Sequence, residues 1–247
     1  MANGDEVVDA DADVVAGQAP PSVRRPLDRD RIVSAAVRFI DESGLPGLSM
    51  RRLGAVLGVE AMSLYRYVPG RENLLDAVVD SIIEEMRQDE DVLDAPTDGW
   101  QDFLQRLAHG VRRVALAHPK AFPLVASRPP EAPWLRPPLR SLTWVEAFLD
   151  GLSSEGFSDE AAVAAYRAFT SFLLGHLLLE VSSLGADVGP LDVIDDQEDA
   201  NEKSLAPYPT VKRLSGSLAE DHSAVEFEES LEELLNRIAL LQAESTG

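Results

Sequence analysis

The sequence predicts an all-α chain. Apolar residues recur at three- and four-residue spacing through nearly every segment long enough to judge, and Gly or Pro closes each run (Gly44 with Pro46, Gly58, Pro69-Gly70, Pro119, Gly156). No convincing stretch of alternating polar and apolar residues suggests a half-buried strand.

Residues 1–23 are of low complexity, carry five acids and no Lys or Arg, and are expected to be a disordered acidic tail. From Asp28 the pattern changes: Ile32, Ala36, Phe39 and Ile40 mark a first helix that Gly44 and Pro46 stop. Ser49 is placed to cap a short second helix with Met50, Leu53, Val56 and Leu57 on its apolar face and Gly58 at its end. A third short helix is expected over about 60–67, before Pro69-Gly70, and a longer fourth from Arg71, with Leu74, Leu75, Val78, Ile82, Ile83 and Met86 inward. Past a linker at 94–98, a helix spans 100–117 and a helical turn 122–126. Five prolines between 129 and 138 form a rigid connection, and helices follow near 139–155 and 159–183. The acidic stretch 185–221, broken by Gly and Pro, reads as a partly mobile loop. The last helix covers about 223–242, with Val225, Leu231, Leu234, Leu235, Ile238 and Leu241 on one face.

The 247 residues hold 22 Lys and Arg against 43 Asp and Glu, a formal charge of −21. Such a charge argues against a polyanionic partner until its distribution is considered. Residues 24–80 hold nine Arg against eight acids, a net of +1, whereas 81–247 carry a net of −17. All nine basic residues in the first of these segments are Arg, whose planar fork suits phosphate and base edges. Cysteine is absent, which removes disulfides, thiolate metal sites and cysteine nucleophiles. The continuous apolar runs are short and the start lacks the pattern of a secretory signal, so a cytoplasmic protein with no membrane partner is expected.

The informative block is residues 48–76. Two short helices joined by a three- to four-residue turn containing Gly58 have the proportions of a helix-turn-helix, whose second helix enters the major groove of DNA. On that second helix the period turns Leu64 and Val68 inward and leaves Ala61, Met62, Ser63, Tyr65, Arg66 and Tyr67 outside. A plain helical hairpin with a solvated face has the same spacing, and the pattern alone leaves it open.

These residues resemble the TetR family of ligand-responsive transcriptional repressors. The resemblance rests on Asp41-Glu42-Ser43-Gly44, Leu45-Pro46-Gly47-Leu48-Ser49, Leu53-Gly54, Leu57-Gly58-Val59, Leu64-Tyr65 and Arg71-Glu72-Asn73-Leu74-Leu75-Asp76. It continues more thinly through 99–104, Arg128-Pro129, Gly151-Leu152 and 227–235, nearest there to the tetracycline repressor branch. It implies an N-terminal three-helix helix-turn-helix domain at 24–80 and a C-terminal helical effector-binding and dimerisation domain at 81–247. A homodimer would bind a near-palindromic double-stranded DNA operator and be released by a small-molecule effector. By the same resemblance Ser49, Arg51 and Arg71 contact the DNA backbone, Ser49 and Arg51 from positions that also leave bases within reach, with Ala61, Met62, Ser63, Tyr65, Arg66 and Tyr67 in or beside the groove. Arg66-Tyr67 replaces the Trp-His of the tetracycline repressors, so a different operator is implied.

The drug- and metal-contacting positions of that branch read Arg87, Leu107 and Val125 here, so a magnesium–tetracycline effector is not expected. Phe103, Leu107, Val111, Phe122, Trp134, Trp144, Phe148, Phe169, Phe172 and His176 are the candidates for an apolar pocket, though each also suits a plain core. No cofactor, metal site or catalytic residue is expected. The four His lie far apart without metal spacing, and no nucleophile elbow or phosphate-cradling loop is present. The competing functional class is a helical protein–protein adaptor that retains a vestigial helix-turn-helix.

Overall fold

The computed structural model describes residues 26–92, 95–129, 131–137, 140–187, 205 and 207–245. The acidic segment 1–23 and residues 188–204 of the expected loop lie outside the described residues. Among the described residues there are ten α-helices and no strand: α1 Arg29–Ser43, α2 Met50–Leu57, α3 Ala61–Leu64, α4 Arg71–Gln88, α5 Trp100–Ala117, α6 Pro123–Ser127, α7 Leu142–Ser154, α8 Asp159–Ser183, α9 Pro209–Leu218 and α10 Ser223–Ser245.

Side-chain oxygens start four of these helices by accepting an orphan first-turn N–H. Asp28 accepts from Arg31, Ser49 from Arg52, Ser141 from Trp144 and Ser158 from Ala161. α1 packs on α2 and α4, and α2 on α3, so Ile32, Ile40, Leu53, Leu64, Val68 and Leu74 close a small core. α4 leaves that core halfway along. Its later residues Ile82, Ile83 and Met86 are buried where it meets α5 and α6, so it crosses the expected division at residues 80/81 as one uninterrupted helix. α8 packs against α5, α7 and α10, with Phe227, Leu231 and Ile238 of α10 buried on it. By length and composition alone α8 is apolar enough to cross a membrane. Here its inner face packs within the helical core and includes Thr170 and Glu180.

Four expectations change. The third helix is one turn, Ala61–Leu64, followed by a turn over residues 65–67 in which the N–H groups of both Tyr67 and Val68 donate to the Leu64 carbonyl. Pro69 disfavours helical geometry at Val68 and so ends the run. The seventh helix begins at Leu142 rather than 139, because Ser141 is its cap. The expected loop contains α9, which Pro209 opens and whose residues are all exposed. Val56 and Val225, assigned to apolar faces, are 61% and 57% exposed. α3 packs on Gly54 and turns the buried face of α2 away from Val56, while Val225 lies across α10 from Phe227 and Leu231.

Candidate nucleic-acid interface and buried cavity

The turn between α2 and α3 is built on two glycines. Gly58 holds a left-handed backbone (φ 69°) and donates to the last carbonyls of α2, while Val59 N–H donates to the Gly54 carbonyl at 2.9 Å. A Cβ on Gly54 would lie 2.9 Å from the Val59 carbonyl oxygen and 3.2 Å from the Ala61 nitrogen, so α3 sits as close to α2 as a bare backbone allows. Leu64 and Val68 anchor the unit inward. Met62, Ser63, Tyr65, Arg66 and Tyr67 are exposed and Ala61 is half-buried, which leaves one short polar and aromatic face on α3 and its turn.

Ser49 spends an acceptor on the α2 cap, and Arg51 is exposed. Arg71, at the start of α4, is half-buried and donates from Nε to the Leu48 carbonyl at 3.4 Å, which ties α4 to the entry of α2. Arg52 was not singled out in the sequence. It is exposed on α2 beside Arg51, and one of its N–H groups is held by the Gly47 carbonyl at 3.1 Å.

α4 is the member that both regions share, and cations from the larger region grip it along its length. Arg128, just past α6, binds Asp76 through Nε at 2.9 Å and Glu72 at 2.7 Å. Arg140 binds Asp80 at 3.0 Å. At the end of α5, His118 places Nδ1 2.7 Å from Asp41 of α1 and Nε2 3.1 Å from Glu85 of α4. Only the imidazolium donates from both nitrogens, and the hydrogen bond to Asp41 raises the His118 pKa above its ordinary value against the opposing effect of burial. Nearby, Lys120 donates to the Glu42 carbonyl at 3.3 Å.

Behind this junction lies a cavity of about 40 Å³ lined by α4 to α8 and by Ser141. Five of the ten pocket candidates, Val111, Phe122, Trp144, Phe148 and Phe169, line it together with Ile83, Met86, Val125, Ser141, Thr170, Leu173 and Leu174. A second cavity of about 30 Å³ is lined by Phe103, Leu107, Trp144 and Phe148, with Arg87, Val92, Thr143 and Ala147.

Three candidates line neither cavity. Trp134 sits in the proline-rich connection and is 75% exposed, so it closes no pocket. Phe172 is turned toward α10 and stacks on Phe227 with ring centroids 5.8 Å apart. His176 packs at 5.2 Å from the same ring, its buried Nε2 without a hydrogen-bond partner and 3.9 Å from Glu180. Glu180 is instead bound by Arg112 at 2.5 and 3.0 Å. These two candidates belong to the packing of α5, α8 and α10. Their spacing to Phe169 was visible in the sequence, but which neighbour each would meet was not.

Against known proteins, a family model described as bacterial regulatory proteins, tetR family, matches residues 32–78, and one described as tetracyclin repressor-like, C-terminal domain, matches residues 94–240. The HTH-type transcriptional repressor DrrR1 of Streptomyces coeruleorubidus is 30% identical over 241 residues, covering 94% of this chain and 84% of that protein. A crystal structure of a possible TetR family transcriptional regulator from Streptomyces coelicolor A3(2) superposes with a TM-score of 0.66 at 28% identity, over 87% of this chain and 100% of the other. The Streptomyces coelicolor TetR family protein ActR, crystallised with actinorhodin, gives 0.62 at 27%, over 87% and 96%.

Proposed function

Because the chain belongs to the TetR family of bacterial regulatory proteins, we propose that two copies of it bind a near-palindromic DNA operator and let go when a largely hydrophobic small molecule enters the cavity between α4 and α8. It is a ligand-responsive transcriptional regulator, and repression is the outcome this reading assigns to operator binding. The observation that carries the proposal is α4. Its first residue, Arg71, adjoins the helix-turn-helix, and Ile83 and Met86 near its other end line the cavity.

Ser49, Arg51 and Arg71 contact phosphates in this reading, while Ala61, Met62, Ser63, Tyr65, Arg66 and Tyr67 reach the major groove. One such helix reads roughly 3–5 base pairs, too few to select a genomic site, so two copies are needed. The outer face of α8 suits their seam. Ala164, Ala168, Ser171 and Gly175 form a stripe of small residues beside exposed Leu179, and no acid interrupts it. α10 adds Leu240 but also turns Glu229, Glu232 and Glu233 outward. The 81–247 region is thus both the effector-binding and the dimerisation domain, and residues 24–80 the DNA-binding one.

Drug-sized ligands need roughly 300–1,000 Å³, far more than the 40 Å³ present. An effector must therefore displace side chains, and those on α4 connect directly to the DNA-binding end. Turning 99% operator-competent protein into 1% requires about 5.5 kcal/mol of discrimination between the two states. The cavity walls offer no imidazole to a chelated metal, so a magnesium-borne tetracycline does not fit this reading. The chain acts as a regulator, as its relatives are named, and no catalytic role is assigned.

The test is a gel shift of the full chain against the DNA flanking its own gene at several salt concentrations, followed by a small-molecule panel. Retention that weakens with salt and is relieved by an apolar compound supports the proposal. A pure dimer that retains none of that DNA at low salt overturns it in favour of a protein-binding adaptor.

A further inference from the structure

The two small cavities share one wall. Trp144 and Phe148 line both, and at i and i+4 they project from the same face of α7. Neither space admits a ligand alone, but Trp144 is half-buried and lines both, so a swing of its side chain would join them into a single channel. That channel is chemically lopsided. One end offers as polar side chains only the hydroxyls of Ser141 and Thr170 and the indole of Trp144, and the Ser141 oxygen already accepts from the Trp144 backbone N–H at 3.3 Å. At the other end stands Arg87, the single charged side chain among the residues lining either cavity.

Arg87 is weakly committed. Its partner is Glu84 Oε2 at 3.4 Å, and Glu84 also accepts from Gln88 at 2.9 Å. Both members of the Arg87–Glu84 pair are well exposed, a setting in which an ion pair contributes little. The guanidinium is therefore available to an incoming anion, which it can bind through two parallel hydrogen bonds. A cationic ligand would enter a space with no carboxylate on its walls and remain unpaired, which is costly.

Resting on the effector-cavity reading above, we infer that the effector is an aromatic molecule with one anionic group, its rings in the space now divided by Trp144 and Phe148 and its charge on Arg87. The test is a fluorescence titration of the full chain with two probes that share an arylaminonaphthalene body, anionic 1-anilinonaphthalene-8-sulfonate and neutral N-phenyl-1-naphthylamine. The wild-type chain should bind the sulfonate about tenfold or more tightly than the neutral probe, the size expected of a charge-assisted hydrogen bond. Arg87→Gln should erase that preference while leaving the neutral probe's affinity unchanged, and Arg87→Lys should keep part of it. Equal wild-type affinities, no binding of either probe, or an Arg87→Gln variant that binds the sulfonate as before would each overturn the inference. So would an Arg87→Gln variant that loses both probes equally, since Arg87 would then be structural. Operator retention by the wild-type chain without probe reports separately on the regulator reading. An anion preference without DNA binding would sink that reading alone, and DNA binding without the preference would sink only this inference.

Discussion

Gly54→Val tests whether the spacing of α2 and α3 sets operator binding. The added Cβ would meet the Val59 carbonyl oxygen at 2.9 Å and Ala61 backbone atoms at 3.2 and 3.4 Å. These are backbone atoms that cannot rotate aside, so the turn and the start of α3 must shift by about 0.5 Å, an overpacking that costs about 1–3 kcal/mol. Gly54→Ala recovers about 1 kcal/mol of that through its better helix propensity and should be only mildly destabilising. Valine recovers less and adds two methyl groups, so about 3 kcal/mol is expected, which lowers the thermal midpoint by roughly 6–12 °C in a chain of this size. Because α3 moves in both copies, operator affinity at fixed salt should fall by about tenfold or more. Gly58 is the control from the same turn. Nothing lies within 4 Å of its would-be Cβ, so Gly58→Ala costs only its left-handed backbone, about 1–2 kcal/mol, with α3 left in place. Calorimetry and a gel shift on the three variants decide the matter. A Gly54→Val protein with the wild-type midpoint and the wild-type affinity would refute the close-approach argument.

Tyr65→Ala should weaken operator binding by about 1–3 kcal/mol while sedimentation shows an unchanged assembly, and equal affinity at fixed salt would remove Tyr65 from the groove. Arg112→Met strands Glu180, which is 7% exposed, without its partner. It should cost about 3–5 kcal/mol in urea unfolding, with Arg112→Met/Glu180→Leu recovering most of the loss; a double variant no more stable than the single would contradict this. His118 faces Asp41 and Glu85, with Lys120 alongside on the Glu42 carbonyl, and its pKa is raised in the folded chain. Its contribution is therefore fully present below the ordinary value near 6.5 and lost as pH rises through the higher folded value. Stability measured across that window should decline in wild type and decline less in His118→Phe; parallel curves would show that the junction does not titrate.

Local patterns carried most of the fold. The caps at Ser49 and Gly58, the helical stop before Pro69-Gly70 and the inward Leu64 and Val68 depend on residues within a few positions of one another, and sequence order reports those directly. α9 was legible too, since Pro209 precedes Val211, Leu214 and Leu218 at helical spacing, but the surrounding acids and Gly216 masked it. The exposed face of α3 followed from periodicity alone. The cavity did not. Phe169 and Phe172 are three residues apart on one helix, yet one lines the cavity and the other stacks on Phe227, because contact between helices depends on rotation and crossing that no single segment encodes. Trp134 looked like a pocket residue by composition and lies in solvent. The sequence by itself determined most of the helices, the caps and stops set by neighbouring residues, and the charge carried along them. Only tertiary packing decided which side chains share an enclosed space, that His118 bridges α1 and α4, and that Arg87 meets the aromatic wall of α7, since each of these joins residues tens of positions apart whose proximity is a property of the whole core.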